Sequence, residues 1–443
     1  MLPDYIAKAV PNPLSNRAPW YANTAPSYAG VFLWIAFYQF IAKDTITRAE
    51  LGLCIAALAL AGLLCFALYY YVPAMLGMKT GFPLYVVGSS TFGTKGGYAM
   101  PGLLMGLLQI GWFAVGTYFS TRFILNGFGS DAAPGTLPFA LVALLWGYSM
   151  AYVGVMGIQY VAKLSLFLNM IPLIMILIVF GQTSGGIGQH IVADPQPYVA
   201  FTLLIQIVIG FFATAGAAGA DFGMNSRDER DVRWGGFVGI AVAILFAAGL
   251  PLLSVAGARA MMPNLESLSY DAVIAAIGGP LATAMFFLFA VASIGPACFC
   301  AFIAGNSFST MIPGVSRLSS TMAGVTVAIA LAVTGVAENL IGFFTIVGAS
   351  FGPICGAMAA DYLLSGQRWA GPREGVNWAG YGSWAAGFLV GILPFLPVSD
   401  TVKIYAQPAV VYSFLTGFAV YAILAKAGLE PQTIALQAKA ARR

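Results

Sequence analysis

The sequence predicts an all-α polytopic membrane protein. Of its 443 residues, 60% are hydrophobic and 8% charged, whereas soluble domains carry charge on about a quarter of their residues. The apolar residues fall in long runs bounded by charge, glycine or proline, of the length a helix needs to cross about 30 Å of hydrocarbon. The runs do not alternate in polarity as barrel strands of about 10 residues would. Little chain is left over for a second, soluble domain.

Read in order, the runs predict spans at 28–42, 51–72, 98–126, 136–154, 161–182, 199–220, 234–257, 280–306, 319–336, 339–363, 379–397 and 407–427. Residues 1–27 hold Pro3, Pro11, Pro13, Pro19 and Pro26 without an apolar core, which predicts a short polar tail rather than a cleavable signal. Residues 428–443 make a second polar tail. An even number of crossings returns both tails to one side. With the N-terminus in the cytoplasm, Lys8, Arg17, Lys79, Lys95, Lys163, the arginines of 227–233 and the tail residues Lys439, Arg442 and Arg443 all lie inside. Lys43, Arg48, Arg122, Arg259 and Lys403 fall outside, the asymmetry expected of a multi-pass protein of the inner membrane.

Several functions are excluded at this level. Twenty basic and 16 acidic residues, dispersed, do not make a nucleic-acid surface. Cys54, Cys65, Cys298, Cys300 and Cys355 all sit within apolar runs, as packing thiols rather than disulfides or zinc ligands. A membrane enzyme would need paired acids or metal ligands at mid-depth, and a channel a charged or carbonyl-lined filter. The sequence offers neither, and a monomer binding a small molecule within the lipid bilayer is the expectation.

A span that holds a polar solute needs backbone groups released from the helical ladder, and glycine or proline inside an apolar run is the sign of it. The sixth run, IVIGFFATAGAAGADF, places Gly210, Gly216 and Gly219 around Phe211 and Phe212 and ends at Asp221. Small-residue helix packing accounts for the same glycines, and both readings stay open. The first run holds only Gly30, with Trp34 among its aromatics and Gln39 as its one amide, a weaker sign of a break. In the eighth, Gly295 and Pro296 predict a kink. The third run, GLLQIGWFAVG, sets Gln109 and Trp112 three apart on one helix face. A glutamine can form paired hydrogen bonds and an indole can stack on a flat ring, so the two suit a planar, amide-bearing solute. Helix gluing and core filling are the alternative use.

Four segments together resemble the nucleobase and cation symport family one, the cytosine, purine, uracil, allantoin and hydantoin permeases, with the bacterial cytosine permeases the nearest counterparts. They are KTGFPLYVVGSSTFGTKGG (79–97) running into LLQIGWFAVG, the sixth run with its ADF ending, GASFGPICGAMAADYLLSGQRW, and GVNWAGY. The resemblance implies twelve helices of the LeuT type: an inverted repeat of 28–182 with 199–363, then two extra helices at 379–427. It also implies unwound first and sixth spans at mid-membrane and a solute between them and the third and eighth. Carried over by residue, it puts a stacking tryptophan on Trp112, its glutamine on Gln109, and the residues closing the other ring face on Gly210, Phe211 and Phe212, with Trp34 and Gln39 from the first span. A ring sandwiched between Trp112 and Phe212 is the resulting expectation.

The implied coupling ion is sodium, held by Ser293 with carbonyls near Gly30 and Trp34. The eighth run, ASIGPACFC, has Ser293 as its only hydroxyl where the family carries a pair, and no asparagine before Asn306. A coupling proton, which needs a carboxylate or histidine, is the substitute, with Asp221, Asp361, Asp44, Glu338 and His190 as its candidates. Asp221 and Asp361 also read as pairing with arginine or capping backbone, and 225–233 as a solvated loop with internal ion pairs rather than a gate. No other cofactor is implied. The function expected is import of a planar nitrogen heterocycle, cytosine foremost. The alternatives are a proton-coupled or uncoupled carrier of a purine, allantoin, hydantoin or thiamine-precursor pyrimidine, or a non-transporting binding protein of the same fold.

Overall fold

The computed structural model describes residues 2–262 and 264–436, which leaves Lys439, Arg442 and Arg443 outside it. The described residues form helices without a named strand. Nine of the helices are long and apolar enough to cross a membrane: Leu51–Thr80, Gly96–Gly127, Leu137–Met156, Phe167–Gln189, Pro197–Ala217, Glu229–Met261, Gly279–Met311, Leu340–Leu364 and Ala409–Lys426. They correspond to expected spans two to eight, ten and twelve. The ninth expected span is the 17-residue helix Arg317–Val333, and the eleventh the 14-residue helix Trp378–Gly391. Side chains such as Leu145 and Ile423 stand 74% and 65% exposed, as a lipid-facing surface requires.

The first span is broken. Thr24–Phe32 and Ile35–Tyr38 are separate helices, with Trp34 extended between them at φ −71°, ψ 126°. The carbonyls of Gly30, Val31 and Phe32 accept no hydrogen bond among the described residues. The sixth span, by contrast, runs unbroken from Pro197 to Ala217 and is interrupted only at Ala218, close to its end. The expected unwinding around Gly210 is therefore absent, because its glycines serve contact instead. A Cβ on Gly210 would lie 2.6 Å from the Phe344 carbonyl oxygen of the tenth span. In the eighth span the irregularity falls at Ser293, between Gly279–Ala292 and Ile294–Met311, three residues before Pro296.

Close backbone approach recurs through the bundle. A Cβ on Gly62 of the second span would lie 3.1 Å from Ala241 Cα of the seventh, and one on Gly239 of the seventh 2.7 Å from Ala25 Cα of the first. Gly154 of the fourth stands in the same way against Cys298 of the eighth, with 3.1 Å from the added Cβ to that Cα. Small residues at such crossings let helices gain van der Waals contact that lipid cannot give them.

The tails are less free than expected. Residues 2–23 lie across one end of the bundle, where Tyr5 and Ile6 are buried, the Tyr5 hydroxyl donates to the Thr94 carbonyl at 2.8 Å and Arg17 donates to the Met78 carbonyl at 2.7 Å. At the same end Asp361 accepts hydrogen bonds from Ser90 at 2.6 Å, Thr91 at 3.0 Å and Arg373 at 2.9 Å. Arg373 also pairs at 3.0 Å with Glu430, and Thr433 bridges to Arg373, so the start of the C-terminal tail is docked there. The charged segment after the sixth span folds as the helix Glu229–Gly236, capped by Asp228, with Arg227 paired to Asp231 at 2.7 Å and Arg233 to Glu229.

Candidate functional site

The break in the first span opens on a cavity of about 380 Å³, within the range of small-molecule sites. Its wall is drawn from the first, third, fifth, sixth and eighth spans. Along the bundle axis it extends from Trp34 toward the end where the first span begins and the sixth and eighth finish, since Ser27, Phe222 and Ile303 also line it.

Five of the sequence-derived residues meet in this wall: Gly30, Trp34, Gln109, Trp112 and Phe211. At its floor the rings form one cluster. Trp112 meets Phe211 edge to face at 4.8 Å and Trp34 at 5.9 Å, and Phe344 lies 5.4 Å behind it. The Trp112 indole nitrogen donates to Thr214 Oγ1 at 3.1 Å, which fixes the ring plane. Gln109, one turn before Trp112, reaches only the Met105 sulfur at 3.7 Å with its amide nitrogen, and its carbonyl oxygen has no partner among the described residues. The buried indole nitrogen of Trp34 has none either.

Four expected residues lie elsewhere. Phe212 faces away from the cavity, stacked on Phe32 at 5.5 Å and 22° and touching Tyr28 at 5.5 Å. In an unbroken helix it stands about 100° round from Phe211, so a Trp112 and Phe212 sandwich does not form here; Trp112 and Phe211 are the rings that share the wall. Gly210 is pressed on the tenth span and offers no free backbone. Gln39 accepts the Asp271 amide on its side-chain oxygen at 3.2 Å and the Tyr270 amide on its backbone oxygen at 3.1 Å, which ties the first span to the segment before the eighth.

Ser293 is 1% exposed and donates its hydroxyl to the Phe289 carbonyl at 2.9 Å, away from the cavity wall. Of the three residues expected around sodium, Gly30 has its carbonyl free, while that of Trp34 accepts the Phe37 amide at 2.9 Å. Among the described residues there is no cluster of His, Cys, Asp or Glu that could hold a metal ion.

Of the carboxylates, Asp361 has the arginine partner expected of it, and Glu338 stands 3.9 Å from Arg122. Asp221 has no cation partner among the described residues. It lies just beyond the sixth span, next to cavity-lining Phe222, and faces the Leu84 amide. Burial pushes its pKa up to about 6 and that amide pulls the other way.

Asn169 of the fifth span and Thr214 of the sixth also line the cavity and were not singled out in the sequence. Asn169 is an amide in the apolar run LFLNMIPL, the same kind of signal that marked Gln109. Thr214 carries none, because a threonine in a helix commonly bonds its own backbone.

A family model described as permease for cytosine/purines, uracil, thiamine, allantoin matches residues 10–417. The cytosine permease of Escherichia coli O157:H7 is 26% identical over 342 residues, covering 75% of this chain and 76% of that protein. The cytosine permease of Escherichia coli K12 is 25% identical over the same length and shares of the two chains. Among solved structures, Mhp1, a nucleobase-cation-symport-1 family transporter, in a closed conformation with bromovinylhydantoin bound, superposes with a TM-score of 0.68 at 18% identity, covering 96% of each chain. The inward-facing conformation of Mhp1 superposes with a TM-score of 0.69 at 15% identity, covering 98% of this chain and 96% of that one.

Proposed function

The chain belongs to the family of permeases for cytosine/purines, uracil, thiamine and allantoin, and from that premise we propose that it imports a flat nitrogen heterocycle, cytosine foremost, through the cavity beside the first-span break. It is a transporter, not an enzyme. The observation that carries the solute class is the pairing of Trp112 with a hydrogen-bond-starved Gln109 in one wall. A ring lying on the indole gains stacking of about 1 kcal/mol beyond its buried area, and specificity falls to the groups that need a hydrogen bond. Gln109, Trp112, Phe211, Trp34 and Gly30 are the proposed solute-facing residues; Phe212 and Gly210 act behind them, by supporting Phe32 and by seating the sixth span on the tenth.

Transport is read as alternating access by a monomer in the inner membrane, both termini cytoplasmic, with 28–182 and 199–363 as the two repeats and 379–427 added. The cavity then stands open toward the cytoplasm. The solute moves with a cation. The free Gly30 carbonyl supports sodium and the unpaired Asp221 supports a proton. Thermal unfolding of the purified protein with a panel of nucleobases, hydantoin and allantoin, with and without sodium at matched ionic strength, tests both parts. A ring whose stabilisation grows in sodium supports the sodium reading, and a shift indifferent to sodium removes it and leaves a proton, with Asp221 as its carrier, or uncoupled transport. Failure of every ring to stabilise the protein would remove the heterocycle reading.

A further inference from the structure

We infer that Asn169 reads one edge of the solute, and that the rings carried are those presenting a donor beside an acceptor, an amide or amidine edge. The inference rests on the heterocycle reading above and adds a residue and a chemical rule to it. A side-chain amide offers two N–H donors and a carbonyl acceptor on one plane. In an apolar span it is costly unless those groups are bonded. Asn169 sits between Leu168 and Met170, half-buried, and no hydrogen bond joins its amide to another described residue. Nor is it sealed in the packing, for it is part of the cavity wall.

The opposite wall is shaped to hold it. A Cβ on Gly30 would lie 2.9 Å from both Cγ and Oδ1 of Asn169. Glycine therefore lets the amide lie flat on the first span, four residues before the extended Trp34. The third span brings Gln109, the other amide without a carbonyl partner. Two such amides, from spans three and five, face a cavity whose remaining polar groups are few. Thr214 is engaged by Trp112, and Ser27 donates to the Asn23 carbonyl at 2.7 Å. A ring with only one lone-pair acceptor would leave the Asn169 carbonyl unbonded, and a site built for hydrogen bonds rejects such a ring strongly.

The test is thermal unfolding of the purified full chain against graded cytosine, uracil, hypoxanthine and hydantoin, with 1,3-dimethyluracil as the edge-blocked control, in wild type, Asn169→Leu and Asn169→Ala. At least one amide-edged ring should stabilise wild type while the methylated ring does not. Both variants should need about tenfold more of that ring for the same shift. Unliganded Asn169→Leu should melt no lower than wild type, because no internal bond is lost. Equal responses in all three proteins would overturn the assignment and leave the heterocycle reading standing. A wild type indifferent to every ring would overturn both. A lowered unliganded melting temperature with unchanged ring response would make Asn169 a packing residue. Should Asn169→Leu not fold, Asn169→Ala, which only truncates the amide, is read in its place.

Discussion

Replacing Arg122 by glutamine should favour the conformation open at the end opposite the cavity mouth. Arg122 lies ten residues past Trp112 on the third span, about 15 Å along its axis. Its guanidinium stands 3.2 Å from Asp271, which is 7% exposed, and 3.9 Å from Glu338, so it holds together the third span and the segments before the eighth and tenth. At 3.2 Å two unit charges attract by about 5 kcal/mol at an effective dielectric of 20. Because a third of the arginine side chain is exposed (33%), screening and desolvation leave about 1–2 kcal/mol net. Losing that raises the population of the opposite-open state about tenfold.

A cysteine at Ser120, a position 0% exposed whose hydroxyl has no partner, should react with a water-soluble maleimide only in that state. Its labelling rate should rise about tenfold when Arg122→Gln is added to Ser120→Cys, measured over the background of the native cysteines. An unchanged rate in a folded double variant would refute the idea that this pair closes the opposite end.

Three further outcomes are expected. Trp112→Ala removes the stacking surface, so the ring concentration for half-maximal thermal stabilisation should rise tenfold or more while the protein stays monodisperse; unchanged ring response would remove Trp112 from the solute. Asp221 holds its proton more tightly folded, at about 6, than at its ordinary 3.8. The stability it contributes is therefore whole below about pH 4 and lost as pH rises through 6, on the order of 3 kcal/mol. Asp221→Asn should melt higher than wild type at pH 7.5 and flatten the pH profile between about 4 and 6, read by thermal unfolding across pH. Arg373→Met strands Asp361 without its cation and should destabilise by about 3–5 kcal/mol, and adding Asp361→Asn should recover part of that loss; equal melting of the single and double variants would show the pair is not coupled.

Much of the site was legible because chemistry in lipid is sparse. A single amide and an indole three residues apart in an apolar run, Gln109 and Trp112, stand out, and both line the cavity. The breaks were harder to read. Three glycines in the sixth span suggested unwinding, yet Gly210 and Gly216 are used for contact with Phe344 and Tyr69. The first span breaks at Leu33 and Trp34, which have no special backbone freedom. Tertiary contacts on each side decide it, among them Trp34 packed on Gly116 and Gln39 holding the Tyr270 and Asp271 amides. Phe211 and Phe212 could not be told apart without the helix phase, and only an unbroken helix assigns the first to the cavity and the second to Phe32. Ser293 read as an ion ligand because it was the one hydroxyl present, and its bond to Phe289 could not be seen in the chain order.

The close-packed glycines carry a mechanical consequence. Gly62 and Gly239 lock the first, second and seventh spans together, while Gly154 locks the fourth to the eighth. Surfaces meshed at that separation cannot slide without a collision of main chain on main chain. Slip must be confined to where spans meet through side chains instead, as at Trp34 of the first over Gly116 of the third and Asn169 of the fifth over Gly30 of the first. Those contacts border the cavity. The empty space is thus also the bearing surface, and whatever occupies it becomes part of the joint it loads.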